Sequence, residues 1–239
     1  MSLIVVLYVP EGLVMAGDSR LTLNWKTNVG GIQQSNSITA SDSNSKIFTI
    51  REKFGLGTFG NADINGIPIA GFINKFIEEK VGNETTIDEI PQLLLDFFGA
   101  YGNPNTTFYT CGYKIVAGVS IPHAYVVNIG NQTFNRINGA DNAQVNGANW
   151  GGETEVLTRL LSTVTINQGG ENITLQNTPV PWNFFTLQDA IDFAQYAVRT
   201  TIETTRFQQK IKTVGGPVDL LVIRPNEAPE WIAQKKLHI

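Results

Sequence analysis

After Met1 and Ser2 the chain runs "LIVVLYV" from Leu3 to Val9, turns at Pro10-Glu11-Gly12 and enters a second apolar run from Leu13 to Ala16. Side chains of a strand alternate between two faces, so seven apolar residues without a polar interruption need cover on both sides. Each large aliphatic side chain kept from water is worth roughly 1.5–3 kcal/mol, so one wet face on this strand alone would forgo several kcal/mol. The opening hairpin therefore belongs inside a layered fold. A chain of 239 residues is long enough to supply those layers as one domain over residues 1–239.

The remaining pattern comes in blocks. Residues 21–45 are rich in Ser, Asn and Gly and read as a loop or hairpin excursion, after which Lys46 to Ile50 and Phe54 to Phe59 form a second apolar hairpin. Apolar residues at helical spacing then predict a helix over 62–80 and another over 87–99, the second capped by Thr86 with Glu89 three residues on. Strands are expected at Tyr113 to Val119, Ala124 to Ile129 and Phe134 to Ile137. Two helices follow, from about Glu153 to Leu161 and from Leu187 to about Phe207, separated by a polar loop over 165–185, and Val218 to Ile223 is the last clear strand. Blocks of strands and blocks of helices favour antiparallel sheets over a parallel βαβ arrangement. With strands buried on both faces, the pattern predicts an α+β fold, a four-layer α-β-β-α sandwich of two antiparallel sheets.

Composition narrows the function classes. A net charge of -4 with 17 Lys plus Arg offers no basic stripe for nucleic acid, and no apolar stretch reaches the ~20 residues of a membrane helix. The start shows no signal segment, so a soluble, cytoplasmic protein is expected. Cys111 is the single cysteine, and His123 and His238 share no ligand spacing, so no metal or other cofactor is expected. Both histidines read as surface groups, His123 at a turn behind Pro122 and His238 beside the end.

Three segments resemble the proteasome β-type subunits, members of the N-terminal nucleophile hydrolases. Ser2, Gly12, Ala16, Asp18, Ser19 and Arg20 fall at that family's spacing; "SKIFTI" followed by "GLGTFGNAD" resembles its lysine strand and glycine turn; "TVGGPVDLLVIRP" is similar to its Gly-Gly turn and strand. A start directly behind Met1, without a propeptide, looks closest to the bacterial ring peptidases and Anbu-type homologues. The resemblance implies a peptidase acting on peptide or unfolded-protein substrates, assembled as a homo-oligomer and served by an unidentified unfoldase. A non-peptidase amidohydrolase and a structural ring subunit without turnover are the alternatives.

The same resemblance assigns roles. Ser2, freed by removal of Met1, would be the nucleophile and its own α-amine the base; Lys46 would lower the amine's pKa, Asp18 would orient Lys46, and Gly60 would donate its N–H to the oxyanion. The plain structural alternatives are a tolerated second residue, an ordinary ion pair, and a turn glycine. Arg20 reads as a tie for the following loop. The family also places an Asp and a Ser shortly before its Gly-Gly turn. Here those positions fall near Ile211 and Val214, and "RFQQKIKTVGG" holds no carboxylate, only the hydroxyl of Thr213. Either another residue, with Asn149 the one named, replaces them, or the site is weak or lost. Apolar bulk at Phe97, Phe98, Tyr101, Trp231, Ile232 and Leu237 is the ground for expecting neighbours.

Overall fold

The computed structural model describes residues 2–139, 145–175 and 177–236. Strand β1 (Leu3–Val9) and strand β2 (Gly12–Gly17) form the opening hairpin, and all 13 of their residues are buried. A long two-stranded ribbon follows, β3 (Leu21–Val29) with β4 (Ile32–Ser41), then the second core hairpin, β5 (Ile47–Ile50) with β6 (Phe54–Gly60). Next come β7 (Asp63–Ile64), β8 (Ile67–Pro68), α1 (Ile69–Lys80) and α2 (Ile90–Gly99). The middle of the chain holds β9 (Thr106–Val116), β10 (Val119–Asn128), β11 (Thr133–Arg136), β12 (Gly147–Gly152) and α3 (Glu155–Leu161). The last part holds β13 (Val164–Gln168), β14 (Glu171–Leu175), α4 (Leu187–Phe207), β15 (Asp219–Ile223) and β16 (Glu230–Ala233).

Two five-stranded antiparallel sheets result, in the orders β12-β1-β2-β15-β16 and β11-β10-β9-β6-β5. The chain is thus a mixed α+β protein. Alternation along β1 sorts its side chains: Leu3, Val5 and Leu7 join a cluster with Leu157 of α3 and Ala190, Ala194 and Val198 of α4. Ile4, Val6 and Tyr8 join a different cluster with Ile47, Tyr109 and Cys111 of the other sheet. Phe76 of α1 and Leu94 and Phe98 of α2 pack with Leu56, Phe108 and Val127 of the second sheet in a third cluster.

Several boundaries differ from the sequence reading for local reasons. The helix expected from residue 62 begins at Ile69, because Asn65-Gly66 adopts positive φ (53° and 79°) and folds Ile64 against Ile67 as a two-residue hairpin turn. The helix expected from 87 starts at Ile90, with Pro91 in its first turn, although the Thr86–Glu89 hydrogen bonds do form. Ala117-Gly118, also at positive φ, turns the chain where a strand to Val119 was expected, and β9 reaches back to Thr106. The polar segments 21–45 and 165–185 each contain a regular ribbon. The Gly-rich stretch Gly147–Gly152 is a strand, paired with β1 from Tyr8 to Leu3.

The aromatic bulk expected at a subunit contact is internal. Phe97 and Phe98 are buried between α1, α2 and the second sheet, Tyr101 packs against them, and Trp231 of β16 folds onto the cluster between the sheets. Leu237 and His238 lie outside the described residues. His123 is 7 % exposed, not a surface group: its Nδ1 lies 2.6 Å from Asp88 Oδ1 and 3.0 Å from the Tyr125 hydroxyl, and Lys114 pairs with the other oxygen of Asp88. Among the described residues no helix is long and apolar enough to cross a membrane.

Candidate active site

The end of β2 delivers Asp18 beside the start of β1, because Ile4 pairs with Gly17 in the hairpin register. Asp18 is 1 % exposed, and its carboxylate is fully occupied. Oδ1 accepts the Leu3 N–H at 2.9 Å and the Lys46 ammonium at 2.7 Å, while Oδ2 accepts the N–H groups of Arg20 at 3.1 Å and Gly215 at 3.0 Å. A carboxylate has about four acceptor positions, so Asp18 keeps none in reserve for a proton relay. Its work is positioning: it locks the amide that follows Ser2 to Lys46 and to the Gly215 turn.

Lys46 is 3 % exposed, and its ammonium has Asp18 as partner. Burial lowers its pKa, and the positive charges of Lys235 and Arg20 act in the same direction; Asp18 opposes them without overcoming them. Lys235 belongs to a second buried pair, donating both its backbone N–H and its ammonium to Asp219. A buried lysine held near cations and one carboxylate is a compact positive charge whose proton is easier to remove than usual.

Ser2 is 6 % exposed and is held from its other side by the end of β12. The Glu153 N–H donates to the Ser2 carbonyl oxygen at 2.7 Å. Gly152 makes this approach feasible: it adopts φ +98°, and a Cβ there would lie 1.7 Å from that oxygen. Glu153 is itself 8 % exposed; its carboxylate accepts the Thr213 hydroxyl at 3.1 Å and the Lys210 ammonium at 2.9 Å. A buried acid therefore belongs to the residue whose N–H holds Ser2, with a hydroxyl bonded to it; the acid comes from the strand end at 153 and only the hydroxyl from the segment before Gly215-Gly216. Asn149, the replacement considered from sequence, is elsewhere: it pairs with Val6 in the middle of β1 and donates to the Tyr8 hydroxyl at 2.7 Å.

Gly60 closes β6 at φ +103°, where a Cβ would lie 2.5 Å from the Asn105 carbonyl oxygen, so the backbone requires glycine there. It is exposed. Its neighbours tie it to the region: the Thr58 N–H donates to the Lys46 carbonyl at 2.9 Å, and the Phe59 ring occupies the space above Gly151 on β12. Asp18 and Lys46 thus meet at the amide of Leu3, directly after Ser2, and Gly60 lies at the end of β6, the strand paired with β5. Arg20 is bidentate to Asp42, at 2.6 and 2.8 Å, closing the base of the β3–β4 ribbon with its guanidinium against Gly215.

Three participants escaped the sequence reading: Glu153, Asp219 and Lys235. Each is a single charged residue at a strand end or in the tail, with no spacing signal of its own; only "GGE", a charge directly after a Gly pair, was available for Glu153. A cavity of about 500 Å³ on another part of the surface, lined by residues including Lys53, Tyr113, Lys114 and Arg224, contains none of these groups. No family model matches the chain, and comparison with curated proteins finds no match.

Proposed function

We propose that this chain is an amide-bond hydrolase in which Ser2, exposed as the N-terminal residue by removal of Met1, is the nucleophile, and that its sheets and helices form a four-layer α-β-β-α sandwich of the N-terminal nucleophile class. The observation that carries the reading is the buried Lys46–Asp18 pair, 2.7 Å long and bonded through Asp18 to the amide of Leu3, the group covalently next to Ser2. A cation fixed there lowers the pKa of the Ser2 amine, ordinarily near ~7.7–8.0, so that the amine is neutral at neutral pH.

The neutral amine takes the Ser2 hydroxyl proton as Oγ attacks the substrate carbonyl carbon, forming a tetrahedral oxyanion. Backbone N–H donors on the β6 end, with Gly60 the assigned one, stabilise that charge; one such donor is worth roughly 3 kcal/mol. The protonated amine hands its proton to the leaving amine, the C–N bond breaks, and an ester on Ser2 remains. Water, deprotonated by the same amine, then hydrolyses the ester. Glu153 and Thr213 supply the polar group on the far side of Ser2 and orient the amine between successive steps.

The substrate class proposed is peptides or unfolded segments, the class that the resemblance to the proteasome β-type subunits implies. Turnover of a fluorogenic peptide amide by protein whose N-terminus has been verified as Ser2 tests this reading. Hydrolysis that disappears in Ser2→Ala is expected; equal hydrolysis by Ser2→Ala would refute it.

A further inference from the structure

The cavity of about 500 Å³ lies at the other end of β15 from the Ser2 region. That strand starts at Asp219, paired with Gly17 beside Asp18, and ends at Ile223, paired with Leu13. Arg224, on the cavity wall, therefore stands roughly 17 Å along the strand direction from Asp219. Separate stretches of chain form the wall: the β5–β6 turn at residues 52–54, residues 84–86 ahead of α2, the facing ends of β9 and β10, and the β15–β16 turn. The volume is that of an ordinary small-molecule site, and Phe54, Tyr113 and Ile115 give it an apolar side.

The cations on this wall are already engaged. Lys114 pairs with Asp88, Arg224 pairs with Glu227 at 2.8 Å and with Glu230, and Lys53 donates to the Asn83 carbonyl. The carboxylates of Glu52 and Glu84 form no ion pair among the described residues, so the unmatched charge on the wall is negative. Burial pushes the Tyr113 hydroxyl up to about 12, so it stays neutral and adds no charge of its own. Arg51 and Glu52 both adopt positive φ, 49° and 52°, where glycine and asparagine are the usual residues. Arg51 has a structural reason to be there, since its guanidinium donates to the Val81 carbonyl at 2.9 Å and to the Glu78 carbonyl at 3.2 Å at the end of α1. Glu52 has no such bond among the described residues, and the turn places it on the cavity wall.

We infer that this cavity binds a small organic ammonium, a primary amine carried on an apolar body. An ammonium brings a positive charge and three donors, and Glu52 and Glu84 offer the unmatched carboxylates to receive them. The apolar body of such a ligand leaves water against Phe54, Tyr113 and Ile115, and aromatic ring faces attract a nearby cation. An anion of the same size meets two unpaired carboxylates, and it reaches the guanidinium of Arg224 or the ammonium of Lys114 only by breaking the pairs with Glu227 or Asp88. A neutral ligand of the same shape gains the apolar contact without the charge. The site stands on the cavity and its wall, and does not rest on the chemistry proposed for Ser2.

Titration of the full chain by 1H–15N NMR tests this with three probes that share one body: phenethylamine, 2-phenylethanol and phenylacetate. Phenethylamine is expected to give saturable shifts at the backbone amides of Glu52, Thr85, Lys114 and Asn226, with a Kd on the order of 1–10 mM for a probe of this size. The alcohol should bind more weakly and phenylacetate not at all. Glu52→Gln and Glu84→Gln, both at exposed positions that leave the core untouched, should each weaken the amine by about threefold to tenfold. Absence of saturable shifts with the amine, shifts that map away from the cavity, equal affinity for the alcohol or phenylacetate, or unchanged affinity in both variants would each overturn the inference.

Discussion

Glu153 donates its backbone N–H to the Ser2 carbonyl at 2.7 Å while its carboxylate holds Thr213 and Lys210. The first contact belongs to the main chain and survives substitution; the second is a buried charge that substitution removes. Glu153→Gln is therefore expected to keep Ser2 in place but to lower kcat by roughly tenfold to a hundredfold with little change in KM. It should also move the acid limb of the pH profile to lower pH, because a negative charge that favours the protonated amine is gone. A merely structural Glu153 would leave that limb where it was, so the pH dependence of kcat decides its role.

The Asp18–Lys46 pair is not symmetric in its contribution to stability. Asp18→Ala strands the ammonium of Lys46 and three backbone N–H groups in the interior, and a cost of about 3–5 kcal/mol is expected. Lys46→Met removes one of four donors to a carboxylate that keeps the other three, and about 1–3 kcal/mol is expected. Both should abolish turnover. Urea unfolding midpoints of the two variants give the comparison; equal losses would mean that the backbone bonds to Asp18 contribute little.

Activity should follow a bell in pH whose alkaline side reports Lys46. Burial has lowered that lysine from its ordinary 10.5, so the ammonium charge that also favours the negative charge developing at the Ser2 oxygen is lost at a pH below the usual lysine range. Lys46→Arg should be nearly inactive, since a planar guanidinium does not reproduce a compact ammonium, but its residual turnover should show no such decline because the guanidinium keeps its proton. Initial rates from neutral to strongly alkaline pH, for both proteins, make the test.

Acid stability should depend on His123. Burial, with the charge of Arg136, lowers its pKa from 6.5 against the pull of Asp88. Between the folded value and 6.5 the unfolded chain holds the extra proton, so stability falls as the pH drops through this window. Asp88 acts separately and lower: burial would raise its pKa, but the hydrogen bonds from Lys114 and Tyr125 and the His123 charge bring it below 3.8. Its contribution is present above 3.8 and fades as pH falls through the lower folded value. Urea midpoints from about pH 7 to about pH 5 should decline in the native chain and decline less in His123→Gln.

Apolar pattern made the core strands and the long helix α4 legible, because a period of 2 or 3.6 is written directly in residues such as Leu3–Val9 and Ala190, Ala194 and Val198. Asp18 and Lys46 were singled out through the family resemblance, and the structure joins them as an ion pair across the two apolar hairpins. What escaped was structure made by register. Gly147–Gly152 has almost no apolar signal and becomes a strand only because β1 offers it a full ladder. Asn65-Gly66 is a strong turn signal that lost to the helical spacing of Ile64, Ile67 and Ile69. His123 looked like a turn residue because the chain bend expected at Pro122 occurs five residues earlier, at Ala117-Gly118. The Glu153 and Lys235 contacts join residues far apart in sequence to Thr213 and Asp219, and no local pattern announces such pairs.

Covalent labelling of the native chain with an epoxyketone or β-lactone, followed by intact mass and peptide mapping, reaches the central claim most directly. One adduct per chain, on Ser2, in protein that has lost Met1, and none in Ser2→Ala, is the expected result. Quantitative retention of Met1 in protein from its native host, or an adduct that maps to any other residue, would contradict an N-terminal nucleophile at Ser2.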